Sequence, residues 1–279
     1  MKMHVIDTGN LKLDGGAMFG VVPKVMWEKL YPADEKNLCN WAMRCLLVDY
    51  GKRVFLIDNG MGDKQSEKFF SNYYPNGNVT LVESLKNAGY SPDDITDMVL
   101  THLHFDHCGG GVIFNKETNE HELLFKNATY WVSAKQWNWA TSPNRREKAS
   151  FLKENILPMI PNLKLLDKET EIVPGFRAVM FDGHTDGQII PHIQYKDKTI
   201  VFMGDLLPAA AHIPLPFVMS YDTRPLLTLD EKEAFLNEAA EKGYVLFFEH
   251  DLYNECCTVH NTEKGVRVNE TFKLCKITE

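Results

Sequence analysis

Apolar and polar positions along the chain alternate between two periods, one of strands and one of helices. The runs Trp41 to Tyr50 and Arg53 to Asp58 are rich in branched and aromatic residues and are parted by Gly51 and Lys52, which predicts a β-hairpin. From Val79 the apolar residues recur at helical spacing until Gly89, which is placed to lie just past a helix C-terminus. Ser91 and Pro92 follow as an N-cap and a first helical residue, and "DMVLT" reads as a short strand. The second half repeats the alternation: "ATYWVS" as strand, "SAKQWNWA" as helix, "RAVMFD" as strand, then "IIPHIQY" and "KTIVFMGD" as a strand pair. Thr228 and Glu231 have capping-box spacing for a helix over Leu229 to Glu241 that stops at Gly243, and "YVLFFEH" reads as a final buried strand. The pattern is that of an α/β layered protein. Periodicity leaves one sheet or two equally open.

Composition narrows the partners. The 279 residues can bury a large core, and no shift in composition marks a linker, so a single domain over 1–279 is expected. A formal charge of -8 repels a phosphate backbone, which argues against nucleic acid as a partner. No apolar run reaches the roughly 18 residues a membrane span needs, and "MKMHVIDTGN" carries no apolar core behind its lysine. A cytoplasmic protein without a membrane partner is therefore expected. Six cysteines with no C-x-x-C read as reduced thiols rather than a disulfide framework or a zinc knuckle.

The chemistry concentrates in "VLTHLHFDHCGGG", which sets His102, His104, Asp106 and His107 at the carboxyl end of a predicted buried strand. Imidazole and carboxylate are the donors that borderline and hard divalent cations take, and i, i+2 spacing in extended chain aims His102 and His104 the same way. Asp106 and His107 lie past the bend, where they can face a second ion, and Gly109 to Gly111 let backbone pass close by. Three further donors each follow an apolar strand: His184, Asp205 and His250. Seven donors exceed the needs of one tetrahedral ion; with Asp205 as a bridge they suit two ions with an open position for water, which is a catalytic arrangement.

In order and approximate spacing, "THLHFDH", "GHTDGQ", "MGDLL" and "FFEHD" resemble the motifs of the metallo-β-lactamase superfamily of dinuclear metal hydrolases, over nearly the whole chain. That resemblance implies an αββα sandwich, two mixed sheets packed face to face with helices outside. It also implies His102, His104 and His184 on one metal, Asp106, His107 and His250 on the other, and Asp205 between them. Zinc is the first expectation for both ions, with manganese, cobalt or iron as alternatives for the same donors. Within the superfamily, "HLHFDHCGG", "SPDDI" and "FFEHD" look most like the N-acyl homoserine lactonases, while "GGAMFGVVPKVMW" and "GDLLPAAAHIPLP" are similar to the methyl parathion hydrolase branch. The lactonases' tyrosine three residues after the bridging aspartate is Pro208 here, so Tyr221 is the candidate hydroxyl in its place. Asp186 stands where many relatives carry proline.

The expected reaction is attack of a metal-bridging hydroxide on a lactone or related ester, with Asp106 passing the proton to the leaving alkoxide. A phosphotriester is the alternative electrophile, and a non-catalytic metal-binding protein the third reading. The partner is a small molecule, with a homodimer an open assembly. Phe19, Phe105, Leu206, Leu207, His212 and Phe217 are the candidate substrate-pocket residues. The proline-rich run from Leu206 to Met219 predicts a loop, either a lid over the site or a buried connection. Arg224 is as suited to pairing with Asp222 or another acid as to holding substrate, and Cys108 reads as a small buried thiol.

Overall fold

The computed structural model describes residues Met1 to Thr278. The chain forms two compact units, each assembled from two segments: Met1–Asn10 with Met43–Lys168, and Leu11–Ala42 with Glu169 onward.

The first eight strands are β1 (Lys2–Asp14), β2 (Leu38–Asp49), β3 (Val54–Ile57), β4 (Asp97–Val99), β5 (Val112–Asn115), β6 (Glu120–Leu123), β7 (Thr129–Ser133) and β8 (Leu163–Leu166). Six of them form a sheet in the order β1-β2-β3-β4-β7-β8, and β5 and β6 make a separate hairpin. The predicted β2–β3 hairpin is present and antiparallel, closed by Tyr50 N–H donating to Arg53 O at 2.9 Å, with Gly51 at φ 85° in the turn. β3, β4, β7 and β8 then run parallel, so the sheet is mixed and their carboxyl ends share one edge. The predicted helix covers Leu81–Asn87, capped by a reciprocal Thr80–Glu83 box, whereas Ser91 and Pro92 open only a single 3-10 turn, Pro92–Asp94. Ile6, Leu47, Leu56, Leu85, Met98, Leu100, Phe125 and Val132 form the core of this unit.

The second unit holds β9 (Thr170–Val173), β10 (Phe176–Phe181), β11 (Gln188–Tyr195), β12 (Lys198–Phe202), β13 (Val245–Phe247), β14 (Cys256–Thr262) and β15 (Gly265–Phe272). They form a second mixed sheet, ordered from β15 to β9, in which only β12 and β13 are parallel. β13 is therefore not the final strand. β14 and β15 add an antiparallel pair whose outer halves are mostly exposed, which is why their apolar signal is sparse in the sequence.

The long helix runs Pro225–Lys242 and ends at Gly243 in the left-handed region, φ 66°. It starts four residues before the predicted boundary, and the Thr228–Glu231 box does not form. Thr228 lies inside the helix and donates to Arg224 O at 3.3 Å, while the Glu231 carboxylate accepts from Asp182 and Gly183 N–H.

The run from Leu206 to Met219 is a buried connection and not a lid. Leu206, Leu207 and Ile213 belong to the core of the unit with Phe235, Leu246 and Phe248. Fully buried Lys232 on the long helix holds the run by donating to the carbonyls of Pro214, Leu215 and Phe217 at 2.9, 3.1 and 2.9 Å. Burial lowers the lysine pKa from 10.5 to about 7. Between those values the folded chain binds fewer protons here than the unfolded one, so this group makes stability rise with pH from about 7 to about 10.5. The stability difference between the native chain and Lys232→Met is expected to move in the native chain's favour by up to about 1.4 kcal/mol per pH unit across that window. Denaturant unfolding at several pH values measures it; parallel profiles would refute the buried, proton-poor lysine.

Candidate metal centre

The first unit's donors lie where β3 and β4 end. Ile57 and Val99 are register partners, so Asp58 and Thr101 leave the sheet side by side. The Asp58 carboxylate accepts from Thr101 N–H at 2.7 Å and Thr101 Oγ1 at 2.6 Å, and it meets His107 Nδ1 at 3.1 Å. Thr101 Oγ1 in turn lies 3.0 Å from His102 Nδ1. His104 is held from the opposite nitrogen, its Nε2 3.2 Å from Glu147, whose second oxygen accepts from Asn144 Nδ2 at 2.6 Å and from Trp139 Nε1. Each ring is thus gripped at one nitrogen while the other turns inward, and His102 Nε2 and His104 Nδ1 come within 3.0 Å of one another. Such outer partners fix the tautomer and orientation of ligand histidines. Asp106 is the more open carboxylate, 13% exposed, with Oδ2 3.9 Å from His107 Nε2.

Glycine makes this packing feasible. A Cβ on Gly109 would lie 2.1 Å from Met61 O, and one on Gly110 2.1 Å from Asn59 O, so the turn after His107 can touch the loop after β3 only without side chains. Asp58 itself sits at φ 56°, a left-handed conformation that costs a non-glycine residue of order 1 kcal/mol or more and is typical of functional sites.

The second unit supplies the remaining donors at the carboxyl ends of β10, β12 and β13. Phe202 and Phe247 are partners in the parallel pair, so Asp205 and His250, each three residues on, leave the same sheet edge. One Asp205 oxygen lies 3.2 Å from His250 Nε2 and the other 3.2 Å from His184 Nε2. His184 Nδ1 is held by Asp222 at 2.9 Å and His250 Nδ1 by the Ala42 carbonyl at 2.7 Å. A buried carboxylate presenting one oxygen to each of two anchored imidazoles is the donor arrangement of a bridging ligand, and neutral nitrogen with carboxylate oxygen suits a borderline divalent cation. The residues therefore fit the metals that the donor pattern implies.

Asp58, Glu147 and Asp222 were not visible from the motifs, because each holds a ligand from a distant segment, and the role of Thr101, beside His102, depends on Asp58. The one available signal was Asp58, an acid directly after the apolar run "VFLI". Elsewhere, Arg224 pairs with Asp186 at 3.0 Å and donates to Asp182 O at 2.7 Å, which gives the unusual Asp186 a structural partner. Cys108 is buried and its thiol is pushed up to about 12 by burial, so it is no thiolate donor; the six cysteines are free. Tyr221 is 41% exposed beside Asp222. Phe105 packs against Phe69 and Tyr73, with ring centroids 5.1 and 4.6 Å away. Phe19 stacks on His212 at 4.5 Å and meets Phe217 edge-on at 6.2 Å. Leu206 and Leu207 lie in the core. His212 donates Nε2–H to Met18 O, and burial lowers its pKa to about 3, so it is neutral at physiological pH.

The family model of the metallo-β-lactamase superfamily matches residues 44–250. The chain belongs to the metallo-β-lactamase superfamily. Its two mixed sheets with helices are the metallo-β-lactamase fold, and its histidines and aspartates form the cluster typical of the superfamily's dinuclear sites. Among solved superfamily structures, a probable metal-dependent hydrolase from Staphylococcus aureus is 32% identical, with a TM-score of 0.88 over 97% of this chain and 95% of that one. AidC, a dizinc quorum-quenching lactonase in complex with the product N-hexanoyl-L-homoserine, is 21% identical with a TM-score of 0.81 over 97% and 95%, a likeness of fold. An N-acyl homoserine lactonase from Bacillus cereus is 25% identical over 91% of this chain and 94% of its own length, so this superfamily member is a distant relative of the lactonases. Among the described residues no helix is long and apolar enough to cross a membrane.

Proposed function

We propose that this metal-dependent hydrolase opens a lactone, or cleaves a related ester, with a hydrophobic acyl or aryl part, as N-acyl homoserine lactonases do. The observation that carries the reading is Asp205, whose two oxygens each face the Nε2 of an anchored histidine at 3.2 Å. In this reading His102, His104 and His184 take one ion, Asp106, His107 and His250 the other, and Asp205 serves both. Zinc is the first candidate. When bound, a pair of divalent ions supplies Lewis acidity to a carbonyl oxygen and an acidified water.

The chain's own residues do the rest. The Asp106 carboxylate accepts the proton released as water attacks the carbonyl carbon and delivers it to the leaving alkoxide oxygen, so the ring opens to a neutral alcohol and a carboxylic acid, which then loses its own proton to solvent. Tyr221 Oη–H is the proposed donor to the carbonyl oxygen, and Tyr221→Phe is expected to lower kcat more than it raises KM. Phe19 and Phe105 are proposed to favour an apolar acyl part, whereas Leu206, Leu207, His212 and Phe217 belong to the buried connection. The partner is a small molecule.

Metal quantification followed by one panel of homoserine lactones, aryl esters, thioesters, β-lactams and aryl phosphotriesters tests the reading. About two ions per chain and fastest turnover of lactones are expected. A preference for thioesters, β-lactams or phosphotriesters would overturn the choice of substrate.

A further inference from the structure

We propose that Glu231 is a positioning residue for His184, acting through the backbone of the loop that carries it; the proposal rests on His184 being a metal ligand. Past the last β10–β11 pair, Phe181 with Gln188, the chain leaves the sheet and the N–H groups of Asp182 and Gly183 lose their ladder partners. Both donate to one side chain, the Glu231 carboxylate, Asp182 N to Oε1 at 2.8 Å and Gly183 N to Oε2 at 2.9 Å. Two parallel N–H bonds to a charged acceptor fix direction as well as distance, and each is stronger than a neutral pair.

The rest of the long helix's N-terminal end closes round the same loop. A Cβ on Gly183 would lie 2.6 Å from the backbone of Thr228, so helix and loop are in direct contact there. Arg224 N–H donates to Gly183 O at 2.9 Å, Thr223 N–H to His184 O at 2.9 Å, and Arg224 pairs with Asp186. Asp222 then fixes the imidazole itself through Nδ1. Glu231 differs from these contacts because it alone accepts from the two residues immediately before His184 with both oxygens. Burial, with the nearby Asp182 charge, raises its pKa against the opposing pull of the two N–H groups and Arg224, an unfavourable placement for a charge. Glutamine at this position keeps the shape but turns one acceptor into an N–H donor facing an N–H. That breaks one bond and opposes the donor left behind.

The effect falls on one metal subsite. In the proposed assignment His184 shares one ion with His102 and His104, whereas Asp106, His107 and His250 take the other. Outer partners of metal ligands typically contribute 10 to 100-fold in metal affinity. Competitive chelator titration with cobalt, which reports binding by its visible absorption, resolves the two ions in the native protein and in Glu231→Gln. One of the two affinities is expected to fall by about 10-fold or more while the other stays within about 2-fold. Glu231→Asp is expected to recover part of the loss, and Glu233→Gln, on an exposed face of the same helix, none of it to begin with. Hydrogen exchange at Asp182 and Gly183 is expected to quicken in Glu231→Gln, and it is readable even if that variant loads metal poorly. Equal weakening of both ions, or a lowered Tm with unchanged affinities and unchanged exchange at these two amides, would overturn the proposal and show a structural acid only. A native protein that binds two ions but turns over no lactone refutes the substrate reading and leaves Glu231 standing; one that binds no metal refutes both.

Discussion

Asp205→Asn is expected to leave the protein folded with about one ion per chain in place of two, and to reduce lactone turnover by more than the roughly 100-fold that an outer partner of a metal ligand contributes. The argument is electrostatic. In the folded chain the two carboxylate oxygens of Asp205 lie 3.2 Å from His184 and 3.2 Å from His250, and the imidazoles are held from behind by Asp222 and by Ala42 O. Asparagine offers one oxygen and one N–H pair, so one of the two positions changes from an anionic acceptor to a donor and the cluster loses a full negative charge. Binding two divalent cations close together depends on that charge, because their mutual repulsion grows as the site is dried. Elemental analysis after reconstitution and dialysis reads the stoichiometry, with far-ultraviolet circular dichroism as the check on folding. Two tightly held ions in Asp205→Asn would remove Asp205 from the bridging role.

The candidate donors stood out in the sequence because ligand chemistry draws on few residue types, and each sheet delivers its own candidates past the carboxyl ends of its strands. The register Phe202 with Phe247 turns two motifs 45 residues apart in sequence into neighbours, and each motif could still be read alone as an acid or histidine after an apolar run. The residues behind the ligands were not legible. Thr101 lies inside the motif, but its role depends on Asp58, and Asp58 depends on the β3–β4 pairing that only folding creates. Glu147 reaches His104 from an irregular segment with no pattern of its own. The Thr228–Glu231 spacing satisfied the chemistry of a cap, yet the carboxylate gained two backbone donors at the His184 loop instead of one at a helix start. The proline-rich run after Asp205 shows the same limit. Apolar residues in a loop are compatible with covering a substrate or filling a core, and Lys232, which binds three of its carbonyls, decides for the core. β1 was missed because its buried positions, Met3, Ile6 and Leu11, fall three and five residues apart and not at every second residue.

Asp106→Asn is the counterpart of the Asp205 change, and the two together separate holding metal from moving a proton. Asp106 lies at the start of the short helix Phe105–Cys108, next to His107, and is more exposed than Asp58, whose oxygens are committed to Thr101 and His107. A carboxylate with access to substrate can accept a proton; one spent on orienting other groups cannot. Asparagine keeps a carbonyl oxygen as a donor to a cation but has no basic site near neutral pH. Metal content is therefore expected to fall little, while kcat falls by about 10²- to 10⁴-fold, the usual contribution of a general acid–base group. KM is expected to change far less, since the substrate's apolar part is untouched. The dependence on the leaving group adds a second readout. A nitrophenoxide leaves without a proton, so aryl esters are expected to lose much less rate in Asp106→Asn than alkyl lactones, whose alkoxide needs protonation as the C–O bond breaks. Equal losses in metal content and turnover, with the same penalty for both leaving groups, would make Asp106 a ligand alone and move the proton transfer to another residue.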